Sequence, residues 1–220
     1  TPLAAIIGYT ELLLAEPTES ASTQRESLEY IHRKAWALSK IVDDLLDVSR
    51  IEAGKGVPIS QTPEEITEVI RQVIYYVQHM TNLHHFETDL PESPVILCVD
   101  RLKIEQVLEN IFSNAIKFST EGGMISVRGW LEPGGFHLSV TDQGIGMAPE
   151  QQARVFDKFY RVDSSSTAAS GTGLGMTIVR HIVNLHNGQV WVESLINRGT
   201  TVHVLLPLET EESCPPRESD

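Results

Sequence analysis

Long apolar runs are missing from this chain of 220 residues. No stretch approaches the roughly 20 residues needed to span a bilayer, and no secretory leader pattern is visible. Positive charge is scarce as well: 17 Lys and Arg stand against 30 Asp and Glu, a net charge of −13. That balance repels phosphate backbones and anionic lipid surfaces, so neither nucleic-acid binding nor direct membrane contact is expected. Any anion site must draw its positive character locally. Cysteine is limited to Cys98, in an apolar strand-like run, and Cys214, in a polar tail. Their separation fits no metal motif and no disulfide framework, and a reducing, cytoplasmic setting is the expectation. His79, His84 and His85 cluster, but at a spacing that matches no zinc pattern. An initiator methionine is also absent. The chain opens on Thr1-Pro2 and reads as a fragment, with any membrane anchor belonging to the part upstream.

What is present begins with two apolar stripes at helical spacing. Leu3, Ile6, Ile7, Leu13 and Leu14 form the first; after a break containing Pro17, Leu28, Ile31, Ala35, Leu38, Val42, Leu45 and Val48 form the second. Steps of three and four are the pattern of bundles and coiled coils. Two helices of this size cannot cover both stripes by themselves, so a homodimer that completes a four-helix bundle is expected. Gly54 and Gly56 stop the second helix, which sets an all-α helical hairpin at 1–56 and a linker at 57–63. From 64 to 208 the pattern changes to helices over 64–80, 101–119 and 174–187 and strands over 86–90, 95–99, 124–130, 136–141, 190–194 and 201–206. Helices on one face of such a sheet make an α+β two-layer sandwich. The acidic, Pro-containing tail at 209–220 is expected to be disordered.

Three short motifs within the second domain carry chemistry. On the helix at 101–119, Val107, Leu108, Ile111 and Ala115 share one face, while Gln106, Asn110, Asn114 and Lys117 form a polar stripe roughly opposite. Such a stripe is commonly just solvated. Asparagine is a mediocre helix former, however, and two in mid-helix need a reason; amide oxygens suit a hard cation such as Mg2+, and Lys117 can meet phosphate oxygens as a point charge. The strand Phe136, Leu138, Val140 ends on Asp142, whose carboxylate emerges on the apolar side and needs a partner. An adenine amine is one, and Gly144 and Gly146 keep side chains out of the way of the base. An ordinary D-x-G turn would look similar. Gly171, Thr172, Gly173, Leu174 and Gly175 then follow a run of small residues at 164–170 and open a helix, an anion site by geometry and dipole. No strand precedes these glycines and no Lys-Ser/Thr follows them, which excludes a dinucleotide fingerprint and a Walker A loop.

In this order and spacing, N-I-F-S-N-A-I-K-F-S at 110–119, D-Q-G-I-G-M at 142–147 and G-T-G-L-G-M at 171–176 resemble the N box and two glycine boxes of the sensor histidine kinases. The likeness extends over about 1–208. It implies ATP and Mg2+ as cofactors, with Asn114 at the metal-ligand position and Phe118 beside the adenine, and 164–170 as a mobile lid. V-F-D-K-F-Y-R at 155–161 resembles the F box. Phe156 and Phe159 read as core, whereas Arg161 could face the terminal phosphate. N-R-G-T-T at 197–201 resembles the closing hairpin, with Thr200 near the adenine.

Thr1-Pro2-Leu3 resembles the end of the acceptor box H-E-x-x-T-P-L. The resemblance therefore implies a phosphoacceptor histidine four residues before Thr1, a possible phosphatase role for Thr1, and a response-regulator receiver domain as partner. His32 stands on the second helix without the acceptor context. Two other readings stay open: an ATPase of the same superfamily driven by dimer closure, with Glu105 as its loose catalytic candidate, and a nucleotide-binding scaffold without transferase activity.

Overall fold

Apolar spacing and chain-breaking residues divide the chain into two units, 1–57 and 58–220. The computed structural model describes residues 2–15, 20–53, 58–119, 121–161, 172–208 and 214. Thr1, Gly54, Gly56, Gly171, the expected lid at 164–170 and the tail other than Cys214 lie outside the described residues.

The first unit is a hairpin of α1 (Pro2–Ala15) and α2 (Ala21–Glu52). Proline suits the first helical turn, where its missing N–H has no intrahelical partner to lose. Tyr9 and Tyr30 meet across the two helices with ring centroids 4.5 Å apart. The expected stripes are only partly covered. Ile6, Leu13, Ile31 and Leu38 are half-buried, whereas Leu3, Ile7, Leu12 and Leu14 on α1 and Leu28, Val42, Leu45 and Leu46 on α2 remain exposed. One neighbouring helix shields one edge of a stripe as wide as these and leaves the other edge bare.

The second unit holds β1 (Thr62–Glu65), α3 (Ile66–Gln78), β2 (His84–Asp89), β3 (Ile96–Val99), α4 (Arg101–Phe118), β4 (Gly123–Glu132), β5 (Gly135–Thr141), α5 (Pro149–Gln152), α6 (Gly175–Leu185), β6 (Gln189–Leu195) and β7 (Gly199–Leu206). Five strands form one sheet in the order β2-β4-β5-β7-β6. The β2–β4 pair is parallel, and the other neighbours are antiparallel. Alternation does the sorting: Phe136, Leu138 and Val140 of β5 and Val202, Val204 and Leu206 of β7 are buried, as are Val69, Ile70 and Val73 of α3, Val107, Leu108 and Ile111 of α4 and Ile178, Val179 and Ile182 of α6. A helical layer on a mixed sheet results, the two-layer arrangement expected.

Three expectations need correction. Residues 62–65 are neither linker nor helix: they pair antiparallel with β3, Thr62 opposite Val99 and Glu65 opposite Ile96. Helix α3 starts only at Ile66 because the Glu65 carboxylate caps it, accepting from the N–H groups of Thr67 and Glu68. Phe159, read as core, is 59% exposed with φ of 59°, since the chain turns there. Cys98 and Cys214 are joined in a disulfide with Cα atoms 5.7 Å apart. Sequence separation hid this pair, because the two cysteines stand 116 positions apart and the proximity is made by the fold. Among the described residues no helix is long and apolar enough to cross a membrane.

Candidate functional site

Helix α4 is the scaffold of the site, and both of its ends are fixed. Asp100 caps it by accepting from the N–H of Lys103 at 3.1 Å. The Asp100 N–H in turn donates to His186 Nε2 at 2.9 Å, while His186 Nδ1 contacts the Ile182 carbonyl at 2.8 Å. That buried imidazole ties the end of α6 to the start of α4. At the other end, the Phe118 carbonyl accepts from the Ile145 N–H at 3.2 Å, so the loop after β5 hangs from the last turn of α4.

One pocket collects Asn114, Lys117, Phe118, Asp142, Gly146, Arg161, Gly173, Gly175 and Thr200. Residues 86 positions apart in sequence thus share one wall. Apolar members, Ile111, Val140, Ile145, Met147 and Val202, line the same space. A flat, mostly apolar base with a few polar edges fits such a lining. Lys117 and Arg161 give the pocket local positive charge in an acidic chain. Burial pushes the Lys117 ammonium below its usual value, and the Arg161 charge adds to the effect; an anion bound between them would reverse the second contribution. The Lys117 Nζ also lies 4.7 Å from the Phe118 ring centroid.

Asp142 is buried at the end of β5. Burial raises its carboxyl above the usual range, and hydrogen bonds from the Gly144 and Thr200 N–H groups oppose that rise. Both bonds go to Oδ1, at 2.8 and 3.2 Å. No described residue bonds Oδ2, so one carboxylate oxygen is left for a donor within the pocket.

The glycines after Asp142 stand where two walls of the protein meet. A Cβ on Gly144 would stand 2.4 Å from the Phe118 carbonyl oxygen, and one on Gly146, whose φ is +64°, would stand 1.9 Å from the Leu195 carbonyl oxygen. The close approach is therefore of the protein's own walls to each other, α4 on one side and the β6–β7 hairpin on the other. Gly144 does not line the pocket itself, and neither does Asn110. Asn110 is buried, not on a wet stripe: a Cβ on Gly175 would come within 3.3 Å of its Oδ1. Its Nδ2 is buried without a hydrogen-bond partner among the described residues. An orphaned amide beside a glycine-opened helix fits a polar ligand at that end.

Leu174 is fully buried, and the Thr172 hydroxyl accepts from its N–H at 3.3 Å; neither lines the pocket. Thr1 and Gly171 lie outside the described residues. Glu105 pairs with Arg101 at 2.9 Å and is absent from the pocket lining. His84 contacts Thr81 and the Ser119 carbonyl, and no group of three potential metal-binding side chains occurs among the described residues. Sequence reading missed Ser194 and Gln152, which brace the pocket from behind. Their signal was faint, a small polar residue near the end of a strand and a glutamine in a four-residue helix.

Residues 99–210 match the family described as histidine kinase-, DNA gyrase B-, and HSP90-like ATPase. Residues 1–54 match the His kinase A (phospho-acceptor) domain. Sensor histidine kinase WalK of Bacillus subtilis is 33% identical over 219 residues, covering 96% of this chain and 35% of WalK. The fold resembles that of Acinetobacter baumannii histidine kinase AdeS, with a TM-score of 0.71 at 21% identity and 96% of each chain covered. Full-length ShkA, solved in complex with AMPPNP, has a TM-score of 0.69 at 25% identity, covering 96% of this chain and 46% of ShkA. The chain spans about a third of the length of the WalK relative it matches.

Proposed function

We propose a function for a chain that belongs to the sensor histidine kinase family: it binds Mg-ATP between α4, the Asp142 loop and the start of α6, and serves a kinase that phosphorylates a histidine and then a response-regulator aspartate. The observation that carries this reading is the Asp142 carboxylate, whose Oδ2 has no hydrogen-bond partner among the described residues, in a pocket shared with Asn114, Lys117 and Arg161.

The roles follow from side-chain chemistry. Asp142 Oδ2 accepts from the 6-amino group of adenine, where guanine carries a carbonyl acceptor instead. Ile111, Ile145, Met147 and Val202 enclose the base, with Phe118 and Thr200 at its edge. Asn114 offers an amide oxygen to a divalent cation. Lys117 and Arg161 neutralise phosphate charge, and the glycine-opened N-terminus of α6 supplies backbone N–H groups. Bound Mg-ATP would contribute the transferable phosphoryl group and the metal's charge. The protein's share is positioning and charge neutralisation. The acceptor histidine belongs upstream of Thr1, in the box whose end Thr1-Pro2-Leu3 resembles. The uncovered apolar edges of α1 and α2 support a homodimer through the hairpin, and the receiver domain of a response regulator is the partner that takes the phosphoryl group.

Calorimetric titration tests the reading. ATP should bind in Mg2+ and weaken markedly on chelation, and a chain extended upstream through the acceptor box should gain acid-labile label from γ-labelled ATP. Absence of ATP binding by the folded protein would overturn the nucleotide site; binding without label would leave the scaffold alternative.

A further inference from the structure

Ser194, next to last in β6, lies outside the pocket, yet its hydroxyl touches both walls of the adenine end. The Met147 N–H donates to Ser194 Oγ at 2.8 Å. Ser194 Oγ donates to the Gly199 carbonyl at 2.8 Å. Its single proton is thereby committed, so the Thr200 hydroxyl, 2.9 Å away, is the donor in the third contact. A hydroxyl has one donor and two acceptor positions, and all three are filled.

Gln152 of α5 extends the brace. Its Nε2 donates to the carbonyls of Met147 at 3.1 Å and of Ser194 at 2.8 Å. Met147 is therefore held through its N–H by Ser194 and through its carbonyl by Gln152. Thr200 is held through its hydroxyl by Ser194 and through its N–H by Asp142 Oδ1. Met147 and Thr200 line the pocket, and Ser194 and Gln152 do not.

We propose that Ser194, assisted by Gln152, is a positioning residue that fixes the width of the adenine end by clamping the 142–148 loop to the β6–β7 hairpin. This rests on the nucleotide reading above. The clamp orients Asp142 indirectly: if Thr200 drifts, its N–H no longer restrains Oδ1, and Oδ2 loses its fixed aim at the base. Base selectivity, more than phosphate contact, should therefore register its loss.

The test compares Ser194→Ala, Ser194→Thr and Gln152→Leu by ATP and GTP titration and thermal melting. Ser194→Ala leaves the Met147 N–H, the Thr200 hydroxyl and the Gly199 carbonyl without this partner, and ATP affinity should fall about tenfold while the preference for ATP over GTP narrows. Ser194→Thr retains the hydroxyl and should restore most of both. Gln152→Leu should shift selectivity in the same direction by less. A role in hairpin stability alone would lower the melting temperature of Ser194→Ala with affinity and selectivity unchanged, and that result overturns the proposal. Should Ser194→Ala fail to fold, Gln152→Leu decides, and wild-type selectivity there also overturns it. Wild-type protein that binds no ATP would instead sink the nucleotide reading.

Discussion

His137 Nε2 and His203 Nδ1 lie 3.1 Å apart across neighbouring strands β5 and β7. Both alternate with core residues and so share the sheet face away from Leu138 and Val204. Trp130 stacks on His137 at 4.1 Å and Trp191 on His203 at 4.9 Å. Glu132 Oε2 lies 3.3 Å from His137 Nδ1, and Glu193 Oε1 lies 3.9 Å from His203 Nε2. A nitrogen pair this close holds one proton between its two atoms. Adding a hydrogen to both sides would set two N–H groups face to face.

This row gives the protein an acid-sensitive seam. Burial pushes the His203 imidazolium below its ordinary value of 6.5; Glu193 opposes the shift and His137 adds to it. A depressed folded value means the contribution to stability is present above pH 6.5 and is lost as pH falls through the lower folded value. The urea midpoint should therefore drop between pH 7.5 and 5.5, and His203→Gln should flatten that drop. An equal pH slope in the variant would show that the loss arises elsewhere.

Asp142→Asn should cost adenine selectivity. The amide can keep its oxygen toward the Gly144 and Thr200 N–H groups, which turns its NH2 into the pocket, donor against donor. Losing a charge-assisted bond is worth about 1.5 to 3 kcal/mol. Competition between ATP and GTP should narrow accordingly, and an unchanged ratio would remove Asp142 from base recognition.

Asn114→Ala should abolish the Mg2+-dependence of ATP binding while leaving the fold in place, because Asn114 lines the pocket whereas the helix packs through Val107, Leu108, Ile111 and Ala115. Circular dichroism and calorimetry with and without Mg2+ would check it. Tight, Mg2+-dependent binding by the folded variant would assign the metal to another ligand.

The sandwich and the segments that meet in the pocket were legible because each is written locally. Alternation along Phe136, Leu138 and Val140 marks a strand, and the spacing of Val107, Leu108, Ile111 and Ala115 marks a helix face. The misplacements involve contacts made only at long range. Strand β1 exists through pairing of Thr62 with Val99, and a four-residue strand containing Pro63 carries almost no signal of its own. Asn110 shares helical phase with Asn114, and nothing in that phase foretells that α6 will cover it at Gly175. Phe159 broke the rule that spaced aromatics are core because its backbone is left-handed, a local conformation unusual for any side chain. Ser194 escaped notice since its role depends on Met147, Gly199 and Thr200 converging on one hydroxyl.

The bond between Cys98 and Cys214 makes a closed ring of the backbone that includes α4, the Asp142 loop, α6 and the β6–β7 hairpin. A single protease cut within that ring releases no fragment: both pieces stay joined through sulfur until a thiol reductant parts them. After nicking, the molecule's integrity is thus decided by the redox state of its surroundings instead of by the continuity of its chain.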